Sequence, residues 1–218
     1  MAKKSFSTFN DIVSDYMSMG YKHQQIELNL YKLSDVEGLV SGYTLLVTIN
    51  GKLRRLWCCG TINSININVS TVWPHPHQWW MTHKSNYRSR IANILINDGI
   101  SNWTFKTFEE LYDHLTTLGF TPGTLYHYDL ARRIGHCLNI SPIDYVYLHE
   151  GALKGAEIIA NQGVITLPTS WNTRVNTSVF APCFPNVDPI DIENILCIYK
   201  KHFNNVVVHN HSSNVIIP

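Results

Sequence analysis

The stretch Leu125-Tyr-His-Tyr-Asp-Leu-Ala-Arg-Arg-Ile-Gly-His-Cys-Leu-Asn-Ile-Ser-Pro142 decides how the rest of the chain is read. An Asp, Asp129, stands just before or in the first turn of a short helix that runs to about Leu138. Tyr126, His127 and Tyr128 crowd it from one side, and Arg132 and Arg133 follow on the other. At a helix N-cap a carboxylate accepts backbone N–H bonds and sits at the positive end of the macrodipole. The plain alternative is that Asp129 only caps its helix, a contribution of about 1 kcal/mol.

Working outward, the chain supplies several further elements. Thr107-Phe-Glu-Glu carries the Ser/Thr-x-x-Glu pattern of a capping box and opens a helix that Gly119 closes. Tyr43 to Ile49, then Asn50-Gly51, then Lys52 to Cys59 is a β-hairpin signal, since Asn-Gly suits a type I′ turn. Thr61 to Val72 alternates enough to add a strand, and residues 5–33 give one or two N-terminal helices. Helices are also expected from Arg88 to Leu95, stopped by Asp98-Gly99, from Ala152 to Ala160, and after Asp188-Pro189. The expected fold is α+β and mostly helical: N-terminal helices and hairpin over 1–72, a helical core over 73–203 and a tail over 204–218, all in a single domain.

Composition bounds the function. A 218-residue chain with 44% hydrophobic residues builds a real core, and a net charge of +1 excludes a histone-like field. Any nucleic-acid contact must come from local clusters of its 17 Lys and Arg. The start has no apolar leader-like run and no segment is long enough to span a bilayer, so a cytoplasmic protein without a membrane partner is expected. Five cysteines, an odd number, point to thiols and not to disulfides. None has the spacing of a zinc or iron–sulfur site. His75, His77 and His83, and His209-Asn-His211, lack a partnered carboxylate or Cys pattern, so no metal and no cofactor is expected.

The run Tyr128-Asp129…Arg133-Ile134-Gly135, with Tyr147-Leu-His-Glu-Gly151 after it, resembles the aspartate-plus-helix element of the helix-hairpin-helix DNA glycosylases of the 8-oxoguanine glycosylase fold. The resemblance covers roughly Arg88 to Lys200 and extends to the anti-phage type that excises glucosylated hydroxymethylcytosine. It implies a helical glycosylase-like core, Asp129 as the catalytic group and double-stranded DNA as partner, with a modified base flipped out and an abasic site left behind, the protein acting as a monomer. Glycosidic cleavage builds positive charge on the sugar, which a fixed carboxylate stabilises while it orients the attacking water.

Tyr126 and Tyr128, with Trp57, Trp79 and Trp80, are the aromatic candidates for stacking the extruded base, each with a place in the core as its alternative. Arg88, Arg132 and Arg133 are candidate phosphate contacts, the alternative being a solvated surface. Glu150-Gly-Ala-Leu-Lys-Gly-Ala brings Gly151, Lys154 and Gly155 to a helix start that could grip a DNA backbone; the alternative is a small-residue helix packed on a neighbour. In the family that hairpin precedes the Asp, whereas here it follows it. The family's Schiff-base Lys would fall at Glu109 or Glu110, the nearest Lys being Lys106, which implies monofunctional chemistry. Two readings from other classes stay open: a non-catalytic nucleic-acid-binding module, and a metal-dependent nuclease using the His cluster.

Overall fold

Thr107 and Glu110 act as their spacing requires. In the computed structural model the Thr107 hydroxyl accepts from the Glu110 N–H at 3.2 Å, and the Glu110 carboxylate accepts from the Thr107 N–H at 3.3 Å. The structure describes residues 5–19, 43–49, 52–56, 63–69, 93–119, 124–169 and 174–206. The elements are α1 (Phe9–Met19), β1 (Tyr43–Ile49), β2 (Lys52–Leu56), β3 (Asn63–Val69), α2 (Phe108–Thr117), α3 (Thr124–Leu138), β4 (Tyr145–Tyr147), α4 (Glu150–Asn161), β5 (Arg174–Asn176) and α5 (Pro189–Tyr199). The protein is mostly helical with few strands. None of the described helices is long and apolar enough to cross a membrane.

The chain divides into two compact units, Met1–Tyr16 with Asp144–Pro218, and Met17–Ile143. Within the first unit the buried Tyr16 hydroxyl donates to Asp191 Oδ1 at 2.7 Å across 175 residues of sequence, a pairing that no local pattern reveals.

In the unit Met17–Ile143, β1 lies between β2 and β3. It pairs antiparallel with β2, Ile49 opposite Lys52, as a two-residue Asn-Gly connection requires. Its pairing with β3 is parallel, from Tyr43 opposite Asn63 to Ile49 opposite Val69. Residues 93–97 are helical and stop at Gly99, whose φ of 75° is the left-handed conformation glycine adopts at no steric cost. On α2 the buried residues are Phe108, Leu111, Tyr112 and Leu115, an i, i+3, i+4, i+7 stripe. On α3 they are His127, Tyr128, Leu130, Ala131, Ile134 and Gly135. Helix α3 closes where Asn139 turns to φ 59° and the Ile140 N–H donates to the Gly135 carbonyl at 2.8 Å. Gly135 is required there, because a Cβ would stand 2.8 Å from the Ile140 carbonyl oxygen.

In the other unit α1 is fixed at its start by Thr8 and Asp11, each side chain accepting from the other's backbone N–H. The Thr8 backbone N–H holds the Asp11 carboxyl below its ordinary value. Ile12 and Tyr16, one turn apart, are buried. Phe9 packs edge-on against Phe184 at 5.7 Å and beside Phe203 at 6.1 Å. The strands β4 and β5 form a two-stranded antiparallel sheet, Val146 opposite Val175. At three residues each they are too short to leave a sequence signal. Helix α5 starts with Pro189 in its first turn and is buried at almost every position.

Candidate functional site

Helix α3 begins one turn earlier than the sequence suggests. It runs for 15 residues from Thr124, with no acidic residue in its first turn, so Asp129 is an interior residue and not an N-cap. The physical reason is that Thr124 to Tyr128 contains no helix breaker and buries His127 and Tyr128 against the core, which repays extending the helix toward Pro122-Gly123. Asp129 is half-buried, between neighbours that are fully packed: Tyr128 is 1% exposed, Leu130 and Ala131 0%.

Tyr128 is a core residue. Its ring meets Phe108 of α2 edge-on at 6.0 Å, and the Arg132 guanidinium carbon lies 5.7 Å from its centroid. This gives Tyr128 its packing alternative and ties part of the half-buried Arg132 to an aromatic face. Tyr126 and Arg133 lie on α3, but their side chains are outside the described residues. Trp57, Trp79, Trp80 and Arg88 are outside them altogether, as are His75, His77, His83, His209 and His211. The structure therefore brings together Tyr128, Asp129 and Arg132 on one helix, and leaves the remaining stacking candidates unplaced.

Gly151, Lys154 and Gly155 lie on α4, in the other unit. Both glycines face α5. A Cβ on Gly155 would collide with the Leu196 carbonyl oxygen, and one on Gly151 with Cys197 Sγ. These small residues serve close helix packing. Lys154 is exposed and donates to Glu150 Oε1 at 2.9 Å, which holds the Glu150 carboxyl below its ordinary range.

Burial pushes the Cys183 thiol up to about 12, so no thiolate forms there near neutral pH. No group of three or more His, Cys, Asp or Glu side chains is assembled among the described residues.

One constellation had no signal in the sequence. Asp98 Oδ2 lies 2.6 Å from His114 Nε2 and accepts from Trp103 Nε1 at 3.2 Å. Trp103 meets the His114 ring edge-on at 4.9 Å and Phe105 at 5.3 Å. The 16-residue separation of Asp98 from His114 matches no motif, so only the fold reveals the cluster.

Compared with protein-family models, with curated proteins and with solved structures, the chain matches none.

Proposed function

We propose that the protein is a DNA glycosylase in which Asp129 is the catalytic carboxylate, hydrolysing the N-glycosidic bond of a modified base and leaving an abasic site. The observation that carries this reading is the setting of Asp129: it is the sole acidic side chain of α3, half-buried between residues that are 0–1% exposed, with Arg132 one turn on. A carboxylate on so well-packed a helix is preorganised, and preorganised charge is what stabilises an oxocarbenium-like transition state. Glu109 and Glu110 stand where a Schiff-base Lys would be needed, so water is the nucleophile and the enzyme monofunctional. Glucosylated hydroxymethylcytosine in phage DNA is among the substrates this reading includes.

A second reading, a nucleic-acid-binding module without catalysis, is favoured by one observation: Asp129 lies inside its helix and does not lead it. Incubation with duplexes carrying normal, oxidised or glucosylated bases, with and without chelator, separates the two. Abasic sites unaffected by chelator support the glycosylase; bound DNA without product supports the module; nicks lost on chelation would instead support a metal-dependent nuclease. Asp129→Asn should bind DNA as before and excise at least ~10²-fold more slowly. Normal turnover by that variant would refute the catalytic role.

A further inference from the structure

Asp98, Trp103, Phe105 and His114 form a half-exposed group on the unit Met17–Ile143, and the chemistry of Asp129 makes no use of it. We infer that these four side chains are a binding site for a single unpaired nucleobase that carries an exocyclic amine. The inference does not depend on the glycosylase reading.

The geometry supplies an aromatic surface first. No two of the three rings are stacked in parallel: Trp103 stands 86° to His114 and 71° to Phe105, and Phe105 is inclined 43° to His114. Each edge-on contact covers at most one face of a ring, and Trp103 and Phe105 are only half-buried. Such rings stack a base with a contribution of ~1–3 kcal/mol, whatever its identity. The centroids are only 4.9–5.3 Å apart, so the rings touch and leave no room for an ammonium group between them. That argues against an aromatic cage for a cation.

The polar atoms then select the ligand. One oxygen of Asp98, Oδ2, is shared by His114 and Trp103, which leaves Oδ1 as an acceptor with no partner among the described residues. At 2.6 Å the Asp98–His114 contact needs a proton between the two atoms, so His114 Nε2 donates to Asp98 Oδ2. Nδ1 likewise has no partner among the described residues, and the His114 side chain is 32% exposed. A carboxylate at the centre repels phosphate, whereas its second oxygen, an acceptor beside a stacking surface, suits the N–H groups of a base. Carboxylates accept from the exocyclic amine of cytosine, whereas an unpaired thymine offers a single ring N–H and no amine. A base paired in duplex does not present its face, so the ligand is an unpaired or extruded one.

The test uses the full chain and fluorescence anisotropy. The probes are a short all-thymine single strand and the same strand with one central cytosine or adenine. The amino-bearing strands should bind ~10-fold more tightly, as one charge-accepting contact implies. Trp103→Ala should abolish that preference, and Asp98→Asn should remove it while leaving the all-thymine affinity unchanged. Trp103→Phe keeps the stacking surface and should keep the preference, which guards against a misfolded Ala variant. Equal affinity for all strands in the wild type, or a preference that survives Asp98→Asn, overturns the site. So does competition by choline, which would mark a cation site.

Discussion

Helices α2 and α4 are of similar length, 10 and 12 residues, yet they are held in opposite ways. Helix α2 carries its own start: the Thr107–Glu110 box satisfies two backbone donors from within four residues. Helix α4 has no side-chain cap at His149 and owes its position to α5, against which Gly155 brings it into backbone contact. One helix is specified locally and the other by its neighbour. Local signals are modest in energy and visible in sequence; close packing is large in energy and silent until the partner is known.

Breaking the α4–α5 contact should therefore have the largest effect. Gly155→Ala places a methyl against the Leu196 carbonyl, a backbone atom that cannot swing aside. The alanine gains about 1 kcal/mol in helix propensity, which overpacking outweighs. With overpacking at the top of its usual range of about 3 kcal/mol or above it, we expect a net loss of at least about 2 kcal/mol in urea unfolding; a neutral result would mean that the helices slide apart freely. Tyr16→Phe, next in size, removes the hydroxyl that donates to Asp191 at 2.7 Å and accepts from Asn194 Nδ2 at 3.1 Å. Removing one partner of a buried hydrogen bond costs about 1–3 kcal/mol, so a loss near 2 kcal/mol should appear in the same assay.

Thr107→Ala should cost less, about 1 kcal/mol, because the amide it satisfies is open to water at the exposed start of α2. Amide exchange should speed up in the first turn of α2 alone. At the bottom of the scale, Lys154→Ala removes an i,i+4 pair whose side chains are 58% and 84% exposed, and no change in melting temperature is expected. If Lys154→Ala weakened DNA binding at unchanged stability, the lysine would regain the phosphate role that its helix start suggested.

The same contrast explains what the sequence disclosed. The capping box, the Asn50-Gly51 hairpin register, the stop at Gly99 and the Asp188-Pro189 start were all legible, because each is a short-range rule. The start of α3 was misplaced because Asp129 looked like a cap, while burial of His127 and Tyr128 carried the helix back to Thr124. Gly151 and Gly155 gave the same residue pattern for a phosphate grip and for helix packing, and only α5 distinguishes them. At the candidate site, Asp129 and Arg132 could be named from the chain, but the core place of Tyr128 depends on Phe108, 20 residues upstream on α2. The Asp98–His114 pair was invisible for the same reason.

The bond between Tyr16 and Asp191 also sets a clock on synthesis. A ribosome adds about 5–20 residues per second, so with 175 residues between the partners α1 waits roughly 10–35 s for α5 to be made. Throughout that interval Tyr16, buried in the finished protein, lacks its α5 partners Asp191 and Asn194. The unit Met17–Ile143 is complete in sequence well before then and is free to fold first. A nascent chain stalled before Pro189 should accordingly expose α1 to proteases and to chaperones that bind apolar helices, and release past Tyr199 should withdraw it.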